Sequence, residues 1–288
     1  MDLIFRFLNN EESPISIPYV FQRYYRWFVE NNPQINVILD DVSKYRNEYA
    51  GCKNSLFHLS IENPETKKYI VVTYWDRSED LRLKTCGWDY ENCVDLICSC
   101  GIDSRTTYTP FTYIFDHTFF YDIAEKIRKP FSEKKDLNLS FRGRMYGHRN
   151  ILNNFIPHII SEIILPPLEY MSEINNRKVG LSLNGVAEIC HRDLEIMSLG
   201  SVLFRPELKV QFHNPLIPWT HYIPFDFDLN NSVEDQWRII EERFQEIRND
   251  DELLSKISRN AVEWFYHNGT INANFELLKK LIKIEKLL

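Results

Sequence analysis

The chain has 288 residues, 44% of them hydrophobic and 26% charged, with a formal net charge of −7. That length and balance describe a globular protein with room for a real core, as one large domain or two of ordinary size, and exclude a disordered chain. The acidic balance also argues against nucleic acid as a partner, because broad affinity for a phosphate backbone needs a basic surface that displaces counterions.

The chain opens on MDLIFRFLNN, where residues 3–8 form a first strand. The run is short, is broken by Arg6 and carries no cleavage region, so it is not read as a signal peptide. No stretch approaches the roughly 18 apolar residues of a membrane span, and a cytoplasmic protein without a membrane span is expected. Six cysteines (Cys52, Cys86, Cys93, Cys98, Cys100 and Cys190) are then expected to be reduced. The cluster from Cys86 to Cys100 contains no C-x2-C pair, which weakens a zinc reading.

Tyr19, Arg23, Tyr24, Trp27 and Phe28 recur at helical spacing up to the break at Pro33. A short apolar run from Gln34 to Leu39 ends at Asp40-Asp41, and Ser43 to Tyr49 has the length of a short helix. Leu56–Ile61 and Tyr69–Tyr74 read as strands on either side of a turn at Asn63-Pro64-Glu65. The second of these is apolar throughout before it meets Asp76, Glu79 and Asp80. A strand buried on both faces and ending in acids is how an α/β sheet presents chemistry at its carboxyl edge, although the same acids serve equally well to cap a following helix. Val94–Cys98 is a further buried strand, and Phe111–Phe115 another apolar run. Asp116-His117 fits a surface turn better than an acid–base pair.

The charged, proline-containing stretch RKPFSEKKD, Arg128 to Asp136, suggests a boundary between two α/β-patterned halves. The second half begins with a strand, LSFRG, that enters a glycine turn. A helix over RMYGHRNILNNFI, a strand-like SEIILP and a proline-opened helix over PPLEYMSEINNRK follow. Next comes KVGLSLNGVAEICHRDLEIMSLG, from Lys178 to Gly200. Val179, Leu181 and Leu183 alternate, Asn184-Gly185 breaks the run, and Ile189, Leu194, Met197 and Leu199 take up a helical period. A strand that ends in a glycine turn before a helix aims backbone N–H groups and a positive dipole end at one point, where a phosphate can sit. Arg192 and Glu195 lie one turn apart and share a face. Ser201–Phe204 and His221–Pro224 are further strands, so the half predicts a parallel sheet flanked by helices. The remainder is helical. Ser232 is an N-cap with Asp235 three residues on, Val233, Trp237, Ile240, Phe244 and Ile247 carry an apolar stripe, and helices follow over 251–266 and 271–288. Asp226-Phe227-Asp228 has the D-x-D form of a metal-holding site, but its position after a strand suits a turn or cap better.

Three motifs occur in order: F-R-G-x-x-x-G-H-R at Phe141 to Arg149, G-x-x-E-x-C-H-R-D-L-E-x-M-x-L-G-S-V at Gly185 to Val202, and H-Y-I-P-F-x-x-D at His221 to Asp228. Together they resemble the donor half of exostosin-like and CAP10-like glycosyltransferases, and the match spans roughly residues 138–268. The resemblance implies a GT-B fold, two Rossmann-like domains facing across a cleft with a C-terminal helix crossing back. The expected division is an acceptor-side domain over 1–130, a nucleotide-sugar domain over 131–268 and the returning helix over 269–288. Soluble exostosin-like enzymes encoded by chloroviruses, a xylosyltransferase of capsid glycans among them, are the most similar in length and in lacking an anchor. They imply UDP-xylose as donor, a glycan or glycoprotein hydroxyl of a viral capsid as acceptor and, for a viral protein, the host cytoplasm as its location.

In that scheme Arg192 contacts the diphosphate and stabilises the departing nucleotide, a task suited to the fixed fork of a guanidinium. Glu195 accepts hydrogen bonds from ribose hydroxyls. Arg142, Gly143 and Arg149 line the phosphate from the other loop, with Gly185 and Glu188 completing the donor site; ordinary surface pairing is the alternative for each charge. Glu188 and Glu195 are seven residues apart where retaining GT-B enzymes commonly space two acids by eight, which favours inversion. An inverting enzyme needs a base for the acceptor hydroxyl. Asp76 is the leading candidate, with Asp80, Glu79, Asp41 and His117 behind it. With cations and a helix end available for the leaving group, no metal and no cofactor is expected.

Overall fold

The computed structural model describes residues 1–7, 9, 16–41, 58–73, 92–98, 109–112, 118–139, 141–143, 160–161, 163–184, 188–228 and 230–288. They form two compact units. The first comprises Met1–Thr118, Val210–Pro215 and Asn268–Leu288, and the second Phe119–Lys209 and Leu216–His267.

The first unit is built on a six-stranded sheet. Its strands are β1 (Asp2–Phe7), β2 (Asn36–Asp41), β3 (His58–Glu62), β4 (Tyr69–Thr73), β5 (Cys93–Cys98) and β6 (Thr109–Pro110), in the order β2-β1-β3-β4-β5-β6. Strand β1 alternates as its sequence demands: Leu3, Phe5 and Phe7 are buried while Ile4 and Arg6 are half-covered. Helix α1 (Ser16–Asn31) follows and lays Val20, Phe21, Tyr24 and Phe28 on that face. The crossover leaves β2 parallel to β1, as a strand, helix, strand connection does. The sheet is not parallel throughout, however. β3 runs antiparallel to both β1 and β4; the chain reverses tightly between β3 and β4, where Asn63 Oδ1 accepts from the Glu65 N–H at 2.9 Å. β4 is buried along its whole length, and β5 and β6 continue in parallel beside it.

In the second unit β9 (Val179–Leu181), β10 (Val202–Pro206) and β11 (Ile223–Phe225) form a parallel sheet of order β11-β10-β9, and β7 (Phe141–Arg142) pairs in parallel with β8 (Ile160–Ser161). The helices are α2 (Thr118–Ile127), α3 (Pro167–Asn176), α4 (His191–Ser198), α5 (Val233–Ile247) and α6 (Asp251–Asn268). Val179, Leu181, Val202, Phe204, Ile223 and Phe225 meet Ile240, Phe244, Ile247, Leu254 and Ile257 in one core. The Ser232 cap forms as its sequence predicts, its Oγ accepting from the Asp235 N–H at 3.1 Å. The SEIILP run departs from expectation. Among its described residues only Ser161 is strand, with Ile160 before it, and Ile163 and Ile164 stand 69% and 78% exposed.

Helix α7 (Ile271–Leu281) and a 3-10 turn at Ile284–Leu287 belong to the first unit, where Phe275, Leu278, Ile282 and Leu287 join the core beneath α1. Among the described residues no helix is long and apolar enough to cross a membrane.

Candidate functional site

The site is organised by the connection from β9 to α4. Gly180 lets the helix lie against the strand: a Cβ there would stand 2.9 Å from Ile196 Cδ1 and Cγ1. Helix α4 starts after Cys190 in a reciprocal cap, with the Cys190 N–H donating to Asp193 Oδ2 at 2.7 Å and the Asp193 N–H returning to the Cys190 side chain. The same carboxylate receives Arg205 Nη1 at 2.7 Å, and both side chains are almost wholly enclosed. Arg205, at the end of β10, also donates to Asn184 Oδ1 at 3.0 Å and to the Glu188 carbonyl. One buried guanidinium therefore fastens the end of β9, the following loop and the start of α4. Arg205 lies outside the three motifs; its signal in the sequence is a lone arginine inside the apolar run SVLFRP.

Arg192 lies one residue inside the helix. Its guanidinium sits over the Phe141 ring at 4.0 Å and its Nη2 donates to the Arg142 carbonyl. Gly143 makes room for it, since a Cβ there would fall 2.2 Å from Nη2. Nε and Nη1 are buried and have no hydrogen-bond partner, which is unusual for such strong donors. Burial opposes the charge, yet Tyr170, Cys190, Glu195 and Asp193 outweigh it and the pKa is raised. The guanidinium thus stays cationic with two donors unused.

Glu195, one turn on and 6% exposed, accepts from the Tyr170 hydroxyl at 2.6 Å. Burial, then the neighbouring Glu195 charge, pushes that phenol well above its ordinary range. Arg142 gives Nε and Nη2 to Glu173 Oε2 at 3.0 and 2.7 Å and Nη1 to the Ile163 carbonyl at 2.9 Å. Arg177 takes the other oxygen of Glu173 at 2.7 Å. Arg142, Arg177 and Arg192 line one recess with Tyr170 and Glu173.

Of the residues expected at the donor site, Arg142 and Arg192 line this recess, Gly143 lies against the Arg192 guanidinium, and Glu195 accepts from Tyr170, itself on the lining. Glu188 is engaged elsewhere, its Oε2 accepting from the Lys209 N–H at 2.9 Å. Asp76, Arg149 and Gly185 lie outside the described residues, as do Glu79, Asp80 and His117. Asp41 accepts from the Asn9 N–H at 3.3 Å. Asp228 accepts from the Asn230 backbone N–H at 2.9 Å, a turn two residues long. Among the described residues no cluster of three His, Cys, Asp or Glu is placed to hold a metal.

No family model and no curated protein matches the sequence. Solved structures do match in fold. An alpha-glucosyltransferase in complex with UDP and a 13-mer DNA containing a central A:G mismatch superposes with a TM-score of 0.50 at 12% identity, over 98% of this chain and 99% of that one. The complex with UDP-glucose and DNA containing an abasic site gives the same values. A third, with UDP and DNA containing an HMU base, gives 0.51 at 11% identity, over 97% and 98%. The chain thus has a mixed α/β fold similar to that of UDP-sugar glycosyltransferases. The exclusion of nucleic acid drawn from net charge is overturned by the same finding, since proteins of this fold are seen bound to DNA. Net charge sums the whole surface, whereas a phosphate backbone meets only the local patch it touches.

Proposed function

We propose that the protein is a glycosyltransferase of GT-B architecture that moves a sugar from a UDP-sugar to an acceptor hydroxyl, with the donor diphosphate held at Arg192. The observation that carries this reading is the cationic guanidinium at the start of α4, backed by Phe141 and Gly143, with Nε and Nη1 buried and unpartnered. Two N–H donors without acceptors suit the oxygens of a diphosphate. As the bond from sugar C1 to the diphosphate oxygen breaks, its electron pair leaves with UDP, and Arg192 stabilises that charge. The acceptor oxygen bonds to C1 and its proton passes to a base, for which Asp76 is the candidate. The leaving charge is met by a side chain, so no metal is required. The seven-residue spacing of Glu188 and Glu195 carries no argument for inversion: the two carboxylates serve different partners, a loop amide and a tyrosine.

The fold likeness favours a hydroxyl on DNA as acceptor. The motifs from Phe141 to Asp228 favour a glycan hydroxyl and xylose, and so supply the competing arm of the test. Thermal shifts are measured with UDP, UDP-glucose and UDP-xylose, with magnesium or EDTA, on wild type and Arg192→Ala. A ligand at 100 times its Kd adds about 2.7 kcal/mol to folded stability. The expected result is a shift with UDP that survives EDTA and is lost in the variant. No shift with any nucleotide overturns the donor site. Transfer of labelled sugar to duplexes with and without an HMU base, against an oligosaccharide panel, then selects the acceptor, and Asp76→Asn is expected to keep the UDP shift while losing transfer.

A further inference from the structure

Arg192 and Glu195 are three residues apart on α4, a spacing at which opposite charges ordinarily pair along a helix. They do not bond here. Glu195 takes the Tyr170 hydroxyl at 2.6 Å, and Arg192 leaves Nε and Nη1 without a partner. Tyr170 comes from a different helix, α3, and its ring packs edge-on against Phe120 at 6.4 Å, which fixes where the hydroxyl points. Tyr170 and Arg192 line the same recess, where Arg142 and Arg177 are already bound to Glu173. Arg192 therefore keeps two buried donors in reserve, and the carboxylate one turn further along its helix is held by a phenol.

From this geometry we infer that Tyr170 is a positioning residue whose hydroxyl holds Glu195 away from Arg192, keeping the guanidinium open for an incoming phosphate anion. The inference rests on the donor-site reading above and adds a residue that neither the motifs nor the fold likeness assigns. A buried arginine next to a carboxylate has two options: to pair with it, or to wait for a ligand. The pairing is blocked if a neutral donor satisfies the carboxylate first. A hydrogen bond to a charged acceptor is about twice as strong as one between neutral groups, enough to hold Glu195 in place. Removing the hydroxyl takes away the bond that turns the carboxylate from Arg192, and an anionic ligand then has to compete with that carboxylate.

The test uses inorganic pyrophosphate, which has no ribose and so reads the anion contact alone, beside UDP, on the full chain by calorimetric titration. Tyr170→Phe is expected to weaken pyrophosphate and UDP about tenfold, the scale of one charged hydrogen bond. Tyr170→Phe with Glu195→Gln is expected to recover pyrophosphate to within about twofold of Glu195→Gln alone, because a neutral amide no longer competes for the guanidinium. Loss of the phenol as mere packing predicts no such rescue. Undiminished binding in Tyr170→Phe, or a folded double variant as weak as the single, overturns the inference while leaving the donor site standing. If Tyr170→Phe does not fold, Glu195→Gln alone decides: affinity for pyrophosphate equal to or above wild type supports the inference, and a loss overturns it. A wild type that binds neither probe removes the donor site and this inference with it.

Discussion

A single buried amine ties the stability of the second unit to pH. Lys134 is 1% exposed, and its Nζ donates to the Asn175 carbonyl at 2.7 Å and to Asn175 Oδ1 at 3.1 Å. Neutral acceptors satisfy its protons without balancing its charge. Burial first, then Lys129 and Arg128, lowers its pKa to about 7. An unfolded lysine titrates near 10.4. Between those values the unfolded chain holds a proton that the folded chain has shed, so stability rises with pH, and below about 7 the full penalty of a buried charge applies. Each unit of the interval is worth about 1.4 kcal/mol. Relative to Lys134→Met, the wild type is expected to gain about 2 kcal/mol in unfolding free energy from pH 7 to pH 9, measured by urea denaturation of both proteins. A difference that does not change with pH rules out a neutral amine in the folded state.

At the scale of elements, the join of β9 to α4 is set by one missing side chain. Gly180→Ala puts a Cβ against Ile196 at 2.9 Å, and the helix must shift or Ile196 must leave its rotamer. Overpacking of this kind costs roughly 1–3 kcal/mol. Because Arg192 rides on the same helix, the variant is expected to lose UDP affinity as well as stability, and Gly180→Ala with Ile196→Val to recover part of both. Stability and affinity are read together from melting curves with and without UDP. This element was legible in the sequence because alternation, Asn184 and the helical period of Leu194 and Met197 are local signals. The Ser232 cap and the α1 stripe were legible for the same reason. Other features depend on partners far away in the chain. Arg205 looks like a strand-end charge until Asp193 and the Glu188 carbonyl are brought to it, and Tyr170 looks like a core aromatic until its hydroxyl meets Glu195. The reversal of β3 was half legible. The turn at Asn63 is a local signal, but orientation within a six-stranded sheet is settled by all its neighbours.

For the whole molecule, the course of the chain matters more than its overall charge. The path leaves the first unit after Thr118, returns to it briefly over Val210–Pro215 and ends in it from Asn268. Helix α7 and the turn after it bury Phe275, Leu277, Leu278, Ile282 and Leu287 in the first unit. The segment is also tied by polar bonds: the Leu287 carbonyl accepts from Asn63 Nδ2 and Thr66 Oγ1, each at 3.1 Å, and Lys286 reaches Asp95. Arg23 of α1 lies 4.2 Å over the Phe275 ring, so the contact runs along the helix that covers the sheet. Fully burying one large apolar side chain contributes about 1.5–3 kcal/mol, so these five amount to roughly 10 kcal/mol, comparable with the whole net stability of a typical domain, about 5–15 kcal/mol. A chain cut after Asn268 is therefore expected to lose the fold of the first unit while the second, whose main core includes no α7 residue among the described residues, keeps its own. Hydrogen exchange distinguishes the outcomes. Amides of β1, β3 and β4 should exchange at unfolded rates and those of β9 and β10 should stay protected. Protection retained in β1 and β4 after the cut refutes a structural role for the returning helix.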